Sequence, residues 1–238
     1  MKKVIKKFIP QIALKTYYLA KKVPKKLRRW WITPEDERIR FNLQTVYDGH
    51  FKVTYRGISA IRCPFDYVMY QMIICKIMPD LIIDIGTNYG GGTLYMADIL
   101  DTLGHGMIHS IDIEKKTGEL IENHPRIKLF TKGWDKYDIN NARGFSKILI
   151  IEDASHMYED SIGALKKFSS LVSVGSYFIV EDGIVNELEK GEGFHGGPLR
   201  AIQEFLVENK NFIVDREYCD MFGKNATFSV NGYLKRIH

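Results

Sequence analysis

From Asp80 onward the chain alternates short, nearly uninterrupted apolar runs with amphipathic stretches, and this pattern restricts the fold more than any other feature. Strands are expected at 81–86 (LIIDIG), 107–113 (MIHSIDI), 126–132 (RIKLFTK), 147–153 (KILIIED) and 176–182 (SYFIVED). Helical stretches fall between and after them, at 91–103, 115–123, 158–172 and 198–209. Strands without polar alternation must be covered on both faces. Helices between them supply that cover, so the expectation is an α/β fold with a mostly parallel sheet. The end breaks the pattern. NFIVDREY (211–218) and ATFSVNGYLKRI (226–237) read as strands with no helix between them, and VNGY as a hairpin turn. They predict an antiparallel C-terminal strand pair.

Three segments follow: a basic amphipathic arm with its linker over residues 1–40, a helical lead-in over 41–79, and the α/β domain over 80–238. In the lead-in, apolar residues after Pro64 recur at helical spacing, and Pro64 with Asp66 marks the helix start. Residues 1–30 carry eleven Lys or Arg and no acid, and taking that +11 from the total of +5 leaves −6 for residues 31–238. An acidic body is a poor electrostatic footprint for nucleic acid. The arm interleaves Ile5, Phe8, Ile9 and Ile12 with its lysines and ends at Trp30 and Trp31, the composition of a segment that lies on an anionic membrane surface. A solvated tail would have the same charge. No run approaches the roughly 20 apolar residues of a transmembrane helix. Cys63, Cys75 and Cys219 form no CxxC pair, which fits a reducing compartment. The expected location is cytoplasmic, with peripheral attachment to the inner face of the membrane through residues 1–30. Self-association into a homo-oligomer is left open.

In DLIIDIGTNYGGGTLYMADIL a strand runs into a glycine-rich turn and then a helix. Such glycines let the backbone approach a ligand closely. The dinucleotide fingerprint needs a glycine two positions after Gly86, where Asn88 stands, and no phosphate-binding Gly-Lys-Ser/Thr follows. A tight connection without a ligand would use some of the same glycines. The next strand closes with Asp112, an acid able to accept both hydroxyls of a ribose. Together they point to a nucleoside cofactor without a pyrophosphate, and S-adenosylmethionine fits best. Candidate cofactor residues are Asp84, Gly86, Asn88, Gly91 and Asp112, with Trp134 and Asp135 of KGWDKYD near the adenine.

The fourth strand ends in IEDASHMYED and the fifth in IVEDGIV. Parallel α/β sheets bind ligands at the strands' C-terminal ends, so Asp153, Glu181 and Asp182 should converge beside the glycine loop. Three carboxylates there are hard to keep ionised without a cation, and a hard divalent ion such as Mg²⁺ resolves the conflict. A solvated acidic loop is the alternative. Neighbouring strand residues point to opposite faces, so Glu181 and Asp182 reach one ion only if the chain turns, a turn expected at Gly183. His156, three residues past Asp153, is the candidate general base. His195 lies in a glycine-rich loop (GEGFHGGPLR) placed to cover a substrate.

The ordered segments YRG (55–57), PFDYVMYQ (64–71), PDLIIDIGTNYGGGTLYMADIL (79–100), DASHMYED (153–160), LVSVGSYFIVED (171–182) and NGYLKR (231–236) resemble the cephalosporin hydroxylase/rhamnosyl O-methyltransferase family. The resemblance runs from about Tyr55 to Arg236. It implies a Rossmann-like class I methyltransferase fold, with Mg²⁺ on Asp153, Glu181 and Asp182 and a base at His156. It also implies O-methylation of a sugar hydroxyl on a glycan or glycosylated metabolite, a cell-surface polysaccharide being the expected setting. A phenolic or lipid acceptor, and a non-catalytic subunit that binds the cofactor, are the rival readings.

Overall fold

The computed structural model describes residues 39–238, and the basic arm lies outside them. Within the unit Leu43–His238, seven strands form one sheet: β3 (Leu81–Ile85), β4 (Met107–Ile111), β5 (Ile127–Phe130), β6 (Ile148–Glu152), β7 (Tyr177–Val180), β8 (Phe212–Val214) and β9 (Tyr233–Arg236). Their order is β5-β4-β3-β6-β7-β9-β8. The first five are parallel, with Leu81 level with Met107 and with Ile148, while β9 runs antiparallel to β7 and β8. The expected mostly parallel sheet with an antiparallel end is therefore observed.

Alternation along each strand divides the core. Ile82, Ile108, Leu149 and Ile179 pack against α2 (Pro64–Ile77) and α3 (Gly91–Leu103). Ile83, Ile111, Ile150 and Phe178 face the other way, onto α5 (Tyr158–Phe168) and α7 (Gly197–Glu208). These positions are fully buried, which is why the strands read as continuous apolar runs. Three further helices have four residues each: α4 (Glu119–Glu122), α6 (Ile184–Glu187) and α8 (Arg216–Cys219).

Three expectations are corrected. The lead-in is not wholly helical: α1 (Leu43–His50) is followed by a hairpin of β1 (Thr54–Tyr55) and β2 (Ile58–Ser59), turned by Arg56 and Gly57 at φ 51° and 81°. The helix expected over 115–123 forms only at α4. The C-terminal strands are not joined by a VNGY hairpin. Asp215 accepts from the Glu217 amide at 3.0 Å and caps α8 between them. Residues 227–230 form no strand, and Phe228 and Val230 pack on Cys63 and Ile184.

Two glycines let the strand ends close up. A Cβ on Gly86, which sits at φ +103°, would lie 1.9 Å from the Asp153 carbonyl oxygen. One on Gly232 would lie 2.0 Å from the Val180 carbonyl. No side chain other than hydrogen fits either place, so β3 against β6 and β7 against β9 are held at glycine distance. This contact fixes the rim on which the functional residues stand.

Candidate active site

A cleft of about 940 Å³ opens along the C-terminal ends of the parallel strands. The sequence-predicted residues Asp84, Gly86, Asn88, Gly91, Asp112, Trp134, Asp135, Asp153, His156, Glu181 and Asp182 all line it. His195 does not; it pairs with Glu159 at 2.9 Å on the surface. On one side the glycine loop meets β4. Asp112 accepts from the Asn88 amide at 2.7 Å and from the Ile113 amide at 2.7 Å, so its carboxylate ties the loop to the strand end. Trp134 donates to Asp160 at 3.3 Å and lies against α5, where a Cβ on Gly163 would meet its ring at 2.4 Å. Gly163 is thus the counterpart of Trp134.

The acidic side grows from the ends of β6 and β7. The Glu181 amide donates to the Glu152 carbonyl at 2.9 Å and extends the ladder one residue past β7. The chain then turns at Asp182 itself, at φ 56°, whereas Gly183 has an ordinary φ of −56°. The expectation of a turn at Gly183 is corrected: its missing side chain admits the Val230 carbonyl, which would stand 2.9 Å from a Cβ. His156 is also left-handed, at φ 61°. Non-glycine residues in that region are costly and are kept where surrounding structure imposes them.

Here Asp153, His156 and Asp182 each bring a ligand atom within 4.8 Å of the others. His156 Nδ1 lies 3.1 Å from Asp182 Oδ2. Burial, then the charge of Asp182, pushes the Asp153 carboxyl well above its usual range. Burial and Glu181 push Asp182 up to about 7. Burial lowers the His156 imidazole, which therefore stays neutral near pH 7.

A further member, Arg62, carries no local signal in the sequence. It follows β2, is almost fully buried, and reaches into the cluster from the lead-in. Its Nε donates to Glu181 Oε2 at 3.1 Å, and its Nη2 lies 2.7 Å from Glu181 Oε1 and 3.2 Å from Asp153 Oδ2. Tyr70 of α2 donates to Glu181 Oε1 at 2.6 Å. The protein's own cation thus stands between Glu181 and Asp153. Glu181 is held by Arg62 and Tyr70, and among the described residues one lone-pair direction on Oε2 has no protein donor.

The residues present fit both expected groups. Two converging carboxylates with raised pKa values are a hard-cation donor set. Two buried polar atoms lining the cleft, Arg62 Nη1 and Asp84 Oδ1, have no hydrogen-bond partner among the described residues, so the cleft is built for a polar occupant.

Sheet order, the glycine loop after β3 and the acid closing β4 mark a Rossmann-like class I methyltransferase fold. Solved structures titled "cmcI-N160 SAH" and "cmcI-D160 Mg-SAM" share it, with TM-scores of 0.63 and 0.59 at 18% and 19% identity. They cover 91% of this chain, and 95% and 88% of their own. The family described as rhamnosyl O-methyltransferase/CmcI matches residues 48–237, and the chain belongs to it. A rhamnosyl O-methyltransferase of Mycobacterium bovis is 30% identical over 195 residues, 78% of each chain. That of Mycobacterium leprae is 28% identical over 204 residues, 80% of this chain and 87% of its own.

Proposed function

We propose that this chain is an S-adenosylmethionine- and Mg²⁺-dependent O-methyltransferase whose acceptor is a sugar hydroxyl. Membership of an O-methyltransferase family supports the reaction class. The sugar is suggested by the rhamnosyl transferases it resembles. The observation that carries the reading is the neutral His156 held against Asp182 in the same cleft as the glycine loop.

The Gly86–Gly92 loop, Asp112 and Trp134 would hold the cofactor, and Asp153 and Asp182, with Glu181 through Oε2, would hold the ion. When bound, S-adenosylmethionine supplies the methyl group on a sulfonium and Mg²⁺ a charge beside the acceptor hydroxyl that lowers its pKa. The protein's own part is as follows. With Nδ1 protonated and donating to Asp182, His156 offers the lone pair of Nε2 to the acceptor proton. The carboxylate thereby fixes both tautomer and ring orientation. Arg62 and Tyr70 keep Glu181 in place. The cleft walls bring two reactants together, from which much of the rate would come.

Transfer of labelled methyl from S-adenosylmethionine to a panel of deoxyhexosides and other sugars, with and without chelator, tests this. Label should appear on a sugar, stop with chelator and return with Mg²⁺. Undiminished transfer in chelator would refute the metal's part, and transfer only to phenols would refute the sugar.

A further inference from the structure

His50 closes α1 and lines the same cleft, and the reaction proposed above leaves it unused. It is only 6% exposed. Its Nδ1 meets the carbonyl oxygen of Tyr47, three residues back in the helix. A carbonyl only accepts, so Nδ1 carries a proton. Burial lowers the imidazole, the Tyr47 carbonyl opposes that, and His156 is near enough to lower it further, so the ring is neutral near pH 7. The lone pair of the neutral ring then lies on Nε2, which has no hydrogen-bond partner among the described residues.

The ring is held by its neighbours. The Phe51 centroid stands 3.9 Å away and that of Phe228 5.1 Å, the latter edge-on at 77°. Phe228 is itself buried in the cluster with Cys63 and Ile184. His156 repeats the arrangement: its Nδ1 faces Asp182, its ring meets Phe194 edge-on with centroids 5.7 Å apart, and its lone pair is also on Nε2. The cleft thus offers two neutral imidazole acceptors, each flanked by phenylalanine. A few placed polar groups on an apolar wall are what orients a small ligand. One imidazole matches the proton that the reaction removes. The other asks for a second donor on the same molecule. A polyol supplies it with another hydroxyl, whereas an acceptor with a single hydroxyl leaves His50 Nε2 unpaired in a closed site, at the cost of a lost hydrogen bond.

We propose that His50 positions the acceptor: its Nε2 accepts a hydrogen bond from a sugar hydroxyl other than the one methylated, in the part of the cleft walled by Phe51 and Phe194. The assignment deepens the sugar reading above and rests on it. It makes α1 an element of acceptor specificity, selecting sugars by which carbon near the methylated one carries a hydroxyl. A histidine in the last turn of a helix also satisfies a free carbonyl, and that structural role involves Nδ1 alone.

Two substitutions divide the two edges of the imidazole. In His50→Asn the amide nitrogen takes the place of Nδ1, so donation to the Tyr47 carbonyl survives and the acceptor at Nε2 is lost. In His50→Gln the amide oxygen reaches the place of Nε2. Methyl transfer by the full-length protein to methyl hexosides, deoxyhexosides and their monodeoxy derivatives is measured beside thermal unfolding and S-adenosylhomocysteine affinity. His50→Asn should raise KM for the best glycoside roughly 10-fold, the cost of one buried hydrogen bond, with kcat, Tm and S-adenosylhomocysteine affinity close to those of the unaltered protein. His50→Gln should restore most of that KM. One monodeoxy derivative, lacking the hydroxyl bound by His50, should have a raised KM already in the unaltered protein and lose nothing more in His50→Asn. If His50→Asn leaves KM unchanged, or if KM follows Tm in both variants whatever hydroxyls the sugar carries, His50 is structural and the proposal is overturned while transfer to sugars stands. Absence of transfer to any glycoside by the unaltered protein would overturn the sugar reading, and the assignment with it.

Discussion

At the scale of single residues, the site divides into what a strand end announces and what only the fold assembles. Asp153, His156 and Asp182 were readable because acids directly after apolar strands must gather at the sheet's rim. Arg62 was not, since its partners lie 91 and 119 positions away and an isolated arginine in a lead-in carries no local signal. The turn at Asp182 was hidden for a related reason: a positive φ at a non-glycine residue is imposed by tertiary packing. His156→Ala should lower turnover at least about a hundredfold and leave S-adenosylhomocysteine affinity unchanged, because a base acts on the acceptor alone. Steady-state rates beside calorimetry check both halves. A second histidine reports on the core. His109 is buried on β4 with its Nδ1 2.7 Å from the Tyr137 hydroxyl, and burial pushes its pKa down to about 4. As pH falls below about 6.5 the unfolded chain takes up this proton first. The stability His109 contributes near neutrality should therefore be lost between about 6.5 and 4. Denaturant unfolding across that interval should show a shallower decline in His109→Gln.

At the scale of elements, the pattern of apolar runs located all five parallel strands and α3, α5 and α7. It did less well where a segment's structure depends on distant partners. The stretch 115–123 carries helix-forming residues, but Gly118 starts α4 late and only Glu119–Glu122 is helical. ATFSV reads as a strand, yet its Phe228 and Val230 are drawn into a cluster with Cys63 and Ile184. Gly163 shows how an element can be shaped by a residue outside it: within α5 a glycine is an unfavourable helix residue, and here it is the seat of the Trp134 ring. Gly163→Ala should therefore favour α5 while forcing the indole outward. The expected result is weaker S-adenosylhomocysteine binding, measured by titration, with a net destabilisation of about 1–3 kcal/mol from overpacking. A more stable protein with unchanged affinity would show that Trp134 has no part in the cofactor pocket.

At the scale of the whole molecule, charge is distributed by segment. The +11 carried by residues 1–30 adjoins a body of −6. Each basic residue near an anionic surface contributes about 1 kcal/mol, so half of them suffice for reversible attachment. Sedimentation with phosphatidylglycerol vesicles should recover the full-length chain at low salt and release it as salt rises. Deleting residues 1–30 should abolish recovery but spare methyl transfer to a soluble acceptor. Failure to sediment at low ionic strength would rule out a membrane role for the arm. The sheet's last strand has a different kind of consequence, one of timing. Asp66 of α2 is fully buried and accepts from the Thr227 hydroxyl, from the Phe228 amide at 3.1 Å and from the Tyr233 hydroxyl at 3.1 Å. All three donors are synthesised more than 160 residues after it. A nascent chain can thus close β3, α3 and β4 and complete the glycine loop with Asp112 early. It must hold Asp66 uncompensated, and with it the helix that brings Tyr70 to Glu181, until β9 emerges. The glycine loop and Asp112 are synthesised long before Glu181 and Asp182, and a ribosome stalled before Thr227 would carry a chain able to begin the glycine-loop side of the cleft and unable to complete the acidic side.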